Sequence, residues 1–335
     1  MSGPSRAQIP GAYLEQMTEL VERLGVSTEE LLEGSGLTKA ALQDPATRID
    51  LPVYQALVRR AHELTGEDGL GFYMGLKMRI STHGFLGFAA MTAKDVRGAI
   101  EIGVRYAATR SPAIGLRLSE TEDEAILELI EHFPLNDTRE FVVAGLMVGL
   151  AHIGEAITGA PIYGRAHASF PEPAAFHRFR HLLPGEVRFN QRNNCLIFPR
   201  EALDRPLVMA DPVAAALALQ QCERELEALE RSRGIAARVV EELQAPGGGY
   251  RTLEEIALAL HVSARTLKRQ LAAEGTTFSD VLDGIRKTKA LELLGSSEDS
   301  VDAIAAALGY SDTANFTRAF KRWTGSTPAA YRKNS

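Results

Sequence analysis

The feature that most constrains this 335-residue chain is a repeat near its C-terminal end. Residues 256–263, Ile-Ala-Leu-Ala-Leu-His-Val-Ser, return as residues 304–311, Ile-Ala-Ala-Ala-Leu-Gly-Tyr-Ser. With one residue inserted, the correspondence continues from Leu267, Arg269 and Leu271 in the first copy to Phe316, Arg318 and Phe320 in the second. Repetition over this length indicates a duplicated supersecondary unit.

Each copy has the pattern of two short helices joined by a tight turn. In the first copy, apolar residues at helical spacing precede Ser263, which is placed to cap a second amphipathic helix. In the second copy, Gly309 can adopt a left-handed turn conformation, and Ser311 or Asp312 can cap the following helix. Two short helices joined in this way form the helix-turn-helix pattern.

The second helix of each copy has a basic outer face. Arginine and lysine pair with guanine edges or phosphates, asparagine bonds adenine, and threonine hydroxyls reach phosphates. The alternative is a solvated basic face with no DNA role, but the duplication favours DNA binding. We therefore predict the following DNA contacts: Arg265, Thr266, Lys268, Arg269, Thr313, Asn315, Thr317, Arg318, Lys321 and Arg322.

Residues 278–294, between the two copies, have the pattern of one amphipathic helix. Seventeen helical residues extend about 25 Å, which makes a rigid spacer between the recognition helices. Recognition helices roughly 34 Å apart enter successive major grooves on one face of DNA. We therefore expect residues 251–335 to form an all-α domain of two helix-turn-helix units joined by a long helix.

The C-terminal region resembles the AraC/XylS transcription regulators. The resemblance rests on Gly309, Phe316 and Phe320 in their spacing and on the Pro-x-x-Tyr-Arg string of residues 328–332. His261 departs from the pattern, because the family often has glycine at the first turn. The resemblance implies a sequence-specific regulator of transcription that binds double-stranded DNA, more often an activator, with RNA polymerase as a partner.

The formal net charge of −6 contrasts with DNA binding, but the charge is divided unequally along the chain. Residues 246–335 hold 12 of the 37 Lys and Arg and 10 of the 43 Asp and Glu. The remaining 25 basic and 33 acidic residues lie in residues 1–245. A mildly basic DNA-binding domain is thus attached to an acidic domain that disfavours unproductive DNA contacts.

Residues 1–210 have the pattern of an α+β domain. Helical periodicity dominates residues 9–110, with a helix expected at Leu51–Thr65, and glycines in residues 69–87 predict turns and close helix contacts. Alternating apolar residues predict a hairpin over residues 114–130, with further strands at 162–170, 186–189 and 194–198. Helices are expected at 141–158, buried on most sides, and at 173–183.

This N-terminal region resembles the arabinose-binding-type effector and dimerisation domain of one AraC/XylS branch. The residues that carry the resemblance are 69–72, 83–87, 176–183 and 187–207. The resemblance implies a small-molecule effector, although the sugar is not general to the branch, and it implies a homodimer. A mostly apolar helical layer under a hairpin is suited to a small apolar ligand held by a few polar anchors.

The candidate anchors are polar groups on otherwise apolar helices: Tyr13, His83, Tyr106 and Arg110. Each could equally be an ordinary half-buried residue, and a hydrogen-bonded core role is favoured for His83. If the ligand carries a carboxylate, the Arg110 guanidinium matches it in bidentate geometry.

We expect neither an enzyme nor a cofactor or metal site. His177 and His181 have a ligand-like spacing, but no third ligand is nearby and a basic helix face is the better interpretation. Cys195 and Cys222 make no disulfide framework. The longest apolar run, residues 141–151, is too short to span a bilayer, so we expect a cytoplasmic protein that is nucleoid-associated when bound to DNA.

Residues 211–250 are expected to connect the two domains. An apolar seam on a helix over residues 211–231 either packs on its own domain or pairs with a second copy. Residues 245–250, with three glycines, predict a flexible linker. The sequence predicts a ligand-responsive DNA-binding regulator, and the resemblance implies an activator that binds as a dimer. The alternatives are a ligand-independent architectural protein or repressor whose N-terminal domain only dimerises, and an enzyme fused to a DNA-binding domain.

Overall fold

The computed structural model describes residues 7–232, 234–244, 251–296 and 299–334. The chain divides into two compact units, with the boundary between Leu229 and Glu230. The first unit contains helices and sheets, and the described part of the second contains helices. This confirms the predicted fold class of an α+β domain followed by an all-α domain.

The first unit begins with a helical layer. Its helices are α1 (Gly11–Arg23), α2 (Thr28–Leu32), α3 (Lys39–Leu42), α4 (Leu51–Thr65), α5 (Leu70–Leu76), α6 (Gly84–Thr92) and α7 (Val96–Tyr106). Strands β1 (Gln8–Pro10) and β2 (Arg48–Asp50) pair in antiparallel fashion beside them. Leu14 and Met17 of α1 are fully buried in one core with Val58 of α4 and Leu70 of α5. The α4 helix has the predicted bounds.

A five-stranded sheet follows, with the order β3-β4-β7-β5-β6. The strands are β3 (Ile114–Glu120), β4 (Glu124–Glu131), β5 (Gly164–His167), β6 (Gly185–Arg188) and β7 (Asn194–Pro199). The predicted hairpin is β3 and β4. The pairing of β5 with β6 is parallel, whereas β7 pairs with β4 and β5 in antiparallel fashion.

The helix predicted over residues 173–183 is wrong. Two 3-10 turns, Ala174–Arg178 and Arg180–Leu182, occupy this segment. The aromatic rings explain the difference, because Phe179 stacks on Phe72 with 4.8 Å between centroids and Phe176 meets Phe189 edge to face at 4.8 Å. Packing of these rings into the core overrides the helical spacing of the sequence.

Helix α8 (Arg139–Thr158) forms the centre of the unit. A Cβ on Gly71 of α5 would lie 2.8 Å from the carbonyl oxygen of Phe141, and one on Gly75 would lie 2.7 Å from that of Gly145. These glycines therefore make the predicted close helix contact. By length and composition alone, the helical segment Asn136–Thr158 could cross a membrane. The uninterrupted apolar run within it, residues 141–151, is shorter than a membrane span. Here its buried residues pack on α5 and the sheet as a core helix.

Helix α9 (Pro212–Ser232) carries the apolar seam predicted between the domains. The Asp211 carboxylate accepts hydrogen bonds from the first backbone N–H groups of the helix. Cys222 is fully buried against Leu86 and Tyr106, and Leu226 packs on the same cluster. The sequence left open whether the seam packs on its own domain or pairs with a second copy. In the structure it packs on its own domain.

The second unit contains seven helices among its described residues. They are α10 (Ile235–Gln244), α11 (Leu253–Ala259), α12 (Ala264–Ala273), α13 (Phe278–Ser296), α14 (Val301–Ala307), α15 (Thr313–Thr324) and α16 (Pro328–Asn334). Val239 and Leu243 of α10 pack in the core of the first helix-turn-helix with Ile256 and Leu267. The connecting region predicted over residues 211–250 therefore divides between the two units, and its predicted linker at 245–250 lies outside the described residues.

The two helix-turn-helix units share α13. Its Leu282 and Ile285 pack against the first core, formed by α10, α11 and α12. Its Leu294 packs in the second core, around the fully buried rings of Phe316 and Phe320. The amphipathic helix predicted over residues 278–294 is present and packs against both halves.

The two turns have equivalent backbone conformations. His261 has φ of 55° and Gly309, at the same position of the repeat, has φ of 73°. Glycine adopts this left-handed region without steric cost, whereas a residue with a Cβ is strained there by about 1–2 kcal/mol. The departure of His261 from the family pattern therefore leaves the turn geometry intact but costs stability.

Exchanging the residue type at these two positions should change stability in opposite directions. We expect His261→Gly to raise the free energy of unfolding by about 0.5–1 kcal/mol, because strain is relieved. We expect Gly309→Ala to lower it by about 1–2 kcal/mol. Urea denaturation of the full chain measures both, and a shift of both variants in the same direction would contradict this explanation of the turns.

Candidate DNA-binding surface and effector cavity

Helix α12 presents a basic face opposite its buried side. Leu267 and Leu271 are buried, while Arg265, Lys268 and Arg269 are exposed. Within the described part of the chain, these three cations form no ion pair, so their charges remain available to a ligand. This arrangement follows from the helical periodicity of the sequence.

The start of α12 is fixed by its cap. The Ser263 hydroxyl accepts a hydrogen bond from the Thr266 N–H at 3.1 Å, and the two hydroxyls lie 2.8 Å apart. Thr266 is half-buried and takes part in this cap, so of the predicted contacts on α12 it is the one with a structural role of its own. The cap holds the three exposed cations in a defined orientation.

Helix α15 differs because its polar side chains contact one another. The Asp312 carboxylate caps the helix by accepting from the Asn315 N–H at 2.7 Å. The Asn315 side chain donates to Asp312 and accepts from the Arg318 guanidinium at 2.7 Å. Arg318 and Lys321 are exposed, and Thr317 is half-buried. This hydrogen-bonded row orders Asn315 and Arg318 on the outer face of the helix.

In the second helix-turn-helix unit, two further predicted contact residues form bonds to neighbouring helices. The Thr313 hydroxyl donates to Asp302 of α14. The Arg322 guanidinium pairs with Asp283 of α13 at 2.5 Å. Of the ten predicted residues, the six cations are exposed and the other four are half-buried, and the predicted residues of the second half are the more constrained. The half-buried ones are Thr266, Thr313, Asn315 and Thr317.

Arg286 of α13 holds the turn of the second helix-turn-helix unit, and the sequence did not predict this role. Its Nε donates to the carbonyl oxygen of Leu308 at 3.0 Å, and its guanidinium lies 4.7 Å from the ring centroid of Tyr310. These contacts fix α13 to the second turn. No local pattern distinguishes Arg286 from its basic neighbours, because Leu308 lies 22 residues away and Tyr310 lies two positions beyond it.

A cavity of about 360 Å³ lies within the first unit. Apolar side chains of α6, α7, α8 and the inner face of the sheet form most of its wall; examples are Leu86, Ile100, Leu150, Ile153 and Leu196. Its size lies within the range of small-molecule pockets, which are mostly apolar with a few polar groups.

Three of the four candidate anchors lie on this cavity, and two of them share a hydrogen bond. The Tyr13 hydroxyl and His83 Nδ1 lie 2.7 Å apart, and both side chains line the cavity. Burial, with a smaller effect of the nearby Arg110 charge, lowers the pKa of His83 to about 4. Burial also raises the pKa of Tyr13. Both groups are therefore neutral at physiological pH.

Arg110 also lines the cavity, whereas Tyr106 is not among the described residues that do. The Arg110 guanidinium forms an ion pair with Glu225 of α9. The Tyr106 hydroxyl donates to Glu223 of α9 at 2.8 Å and so acts between two helices. The partners on α9 were missed because they lie 115 and 117 residues away in sequence.

No metal-ligand cluster occurs within the residues that the structure describes. His177 and His181 lie on separate 3-10 turns, and His177 Nδ1 lies 2.8 Å from the carbonyl oxygen of Ala174. Cys195 and Cys222 are buried free thiols, and burial raises the pKa of both. Their thiolate forms are therefore disfavoured.

Comparison with known proteins identifies the family. Residues 25–207 match the family described as the arabinose-binding domain of AraC transcription regulators, N-terminal, and residues 256–334 match a helix-turn-helix domain. The ornithine utilization regulator of Pseudomonas aeruginosa is 34% identical over 326 residues, which cover 97% of this chain and 96% of that protein. The chain belongs to the AraC family of transcription regulators.

Two further regulators are similar to most of the chain. An uncharacterised helix-turn-helix regulator of Mycobacterium tuberculosis is 30% identical over 335 residues, covering 98% of this chain and 97% of that one. The crystal structure of the regulator CdpR from Pseudomonas aeruginosa superimposes with a TM-score of 0.43 at 23% identity, covering 84% of this chain and 91% of that one. As an AraC-family member, the protein is a DNA-binding transcriptional regulator, and its relatives are regulators.

Proposed function

We propose that this AraC-family protein is a ligand-responsive transcription activator that binds its DNA site as a homodimer and contacts RNA polymerase. The observation that carries the ligand response is the cavity of about 360 Å³ inside the first unit. Its lining is mostly apolar, so an apolar ligand bound there removes apolar surface from water. A ligand that fills it stabilises the unit.

The lining of the cavity limits the chemistry of that ligand. Glu186 is the one acidic side chain among the described lining residues, and it already pairs with Arg188. One relative is named for ornithine utilization. A diamino acid such as ornithine would bury ammonium groups without a free carboxylate partner, which is costly. The effector of this protein is therefore a mostly apolar molecule, with Tyr13, His83 and Arg110 as its polar contacts.

We assign different roles to the two recognition helices on DNA. The exposed cations of α12 approach DNA without first breaking an ion pair within the described structure, and Arg269 reads a base edge. Asn315 and Arg318 of α15 contact bases as an ordered pair. Lys321 and Arg322, near the end of α15, bind phosphates.

An exposed apolar strip supports the homodimer. Val208, Met209, Val213 and Leu217 retain 69%, 56%, 71% and 60% of their surface exposed. Residues of this kind on one short stretch are typical of a protein interface rather than of a solvated surface. The strip includes the outer face of α9, which the packing of Cys222 on the first unit leaves free. We infer that a second copy of the chain covers it.

Replacing DNA-facing cations should separate base reading from phosphate binding. Arg269→Ala should cost about 1–3 kcal/mol on a DNA site selected from random duplexes and relax the preference at one position. Lys321→Ala should weaken binding to all sequences and reduce the slope of log affinity against log salt by about 1. Fluorescence anisotropy at several salt concentrations measures both. Arg192→Ala, an exposed site of the first unit, is the control, and unchanged affinity and preference in Arg269→Ala would refute its assignment.

A charge placed in the exposed strip should separate the two copies. We expect Leu217→Asp to weaken dimerisation at least about tenfold, because a carboxylate would be buried in an apolar interface. Leu258→Asp places the same charge on a leucine that is 77% exposed in the second unit, and it should leave dimerisation unchanged. Analytical ultracentrifugation gives the association constants. A wild-type chain that sediments as a monomer on its DNA site would overturn the homodimer.

A molecule that fills the cavity should both stabilise the protein and change its activity. We expect compounds from a library of small apolar molecules to raise the melting temperature of the full chain, because they bind only the folded state. The same compounds should change the affinity for the selected DNA site by about 5–150-fold. Stabilisation without any change in DNA affinity or in transcription in vitro would favour the ligand-independent alternative.

A further inference from the structure

Arg110 connects the wall of the cavity to helix α9. Its side chain lines the cavity and is only 11% exposed. Its Nη2 donates to the Glu225 carboxylate, and its Nε donates to the Thr109 hydroxyl at 3.2 Å. Its Nη1 lies beside Gly84 and donates to no group within the described structure. Glu225 and Thr109 thus use Nη2 and Nε, and Nη1 takes part in neither bond.

The groups around Arg110 create a site for an anion. Tyr13 and His83 line the same cavity and carry no charge, because burial keeps the pKa of His83 low and that of Tyr13 high. Glu225, whose side chain is 32% exposed, is the carboxylate that balances Arg110. Arginine binds a carboxylate most strongly through two parallel hydrogen bonds. A second carboxylate inside the cavity can offer that geometry.

We propose that the effector is an amphipathic monocarboxylate whose apolar part fills the cavity and whose carboxylate pairs with Arg110, replacing Glu225 as its partner. This inference rests on the proposed ligand-responsive function and adds the chemical class of the ligand and the contact through which it acts. Tyr13 and Arg110 both line the cavity, and apolar side chains of α7 and α8 form much of the remaining wall.

Loss of the Arg110 partner changes how α9 is held. Two further bonds tie α9 to α7: Glu223 accepts from the Tyr106 hydroxyl at 2.8 Å and from the Arg105 guanidinium at 2.9 Å. Release of Glu225 removes one of the polar contacts in this set and leaves its carboxylate to solvent. The bound ligand thereby favours a second arrangement of α9 over the first.

The chain continues from α9 directly into the DNA-binding unit. Helix α9 ends at Ser232 and α10 begins at Ile235. The Glu274 carboxylate, at the end of α12, accepts from the N–H groups of Ile235 at 2.5 Å and Ala236 at 3.0 Å. The start of α10 is thus bonded to the end of the first recognition helix. A change in α9 reaches α12 through this short connection.

The experiment compares carboxylates with their neutral counterparts on the full chain. The probes are straight-chain carboxylates of six to twelve carbons and the corresponding primary amides, titrated by calorimetry. We expect the best carboxylate to bind at least about tenfold more tightly than its amide and to change affinity for the selected DNA site by about 5–150-fold. Amides that bind as tightly as the acids would overturn the carboxylate while leaving a ligand-responsive function in place. Absence of binding by acids and amides alike would overturn the carboxylate proposal, whereas the ligand response itself is overturned if the apolar library also leaves the melting temperature unchanged.

Variants of the ion pair test the exchange of partners. Arg110→Gln should lose the preference for acid over amide, and Arg110→Lys, which keeps the charge, should retain part of it. Glu225→Gln should bind carboxylates several-fold more tightly and show, without ligand, a DNA affinity shifted toward that of the liganded protein. Glu230→Gln, an exposed site on the same helix, is the control and should change neither. Weaker carboxylate binding by Glu225→Gln, or an unchanged preference in folded Arg110→Gln and Arg110→Lys, would overturn the proposal.

Discussion

The apolar stripe of α13 is the interaction on which the DNA-binding unit depends. Leu282 and Ile285 complete the first helix-turn-helix core, and Leu294 completes the second. Neither pair of short helices could bury its apolar face alone, because helices of seven to twelve residues are marginal without tertiary packing. A helix of 19 residues is about 28 Å long and therefore sets the separation of the two halves. Arg286 bonds α13 to the second turn through the Leu308 carbonyl oxygen.

The first unit combines close helix packing with an internal cavity of about 360 Å³. Gly71 and Gly75 let α5 contact the backbone of α8, which concentrates close packing on one side of the central helix. Leu150 and Ile153 of the same helix line the cavity. The polar groups there are few, and each is bonded to a neighbour, as Tyr13 is to His83. Arg110 is the polar lining group that pairs with α9, through Glu225.

Much of this structure follows from local patterns in the sequence. The duplicated turn, the bounds of α4 and the β3–β4 hairpin each depend on residues close together in the chain, so periodicity and turn chemistry predict them. The apolar length of α8 likewise predicts a core helix. Three of the four polar residues chosen on apolar helices, Tyr13, His83 and Arg110, line the cavity, whereas Tyr106 is not among its described lining residues.

The remainder depends on contacts that periodicity does not contain. Burial of Phe179 against Phe72 converts a helical pattern into two 3-10 turns. Packing of α10 on the first helix-turn-helix moves it from the connecting region to the DNA-binding unit. The pairing of Arg110 with Glu225 joins residues 115 positions apart, so only the fold shows it.

The most direct test of the DNA-binding architecture is a hydroxyl-radical footprint of the full chain on its selected site. If α13 holds two recognition helices for successive major grooves, each bound copy should protect two tracts about 10 base pairs apart on one face of the duplex. Protection of a single tract per copy, or of tracts on opposite faces, would contradict the geometry that the shared helix imposes.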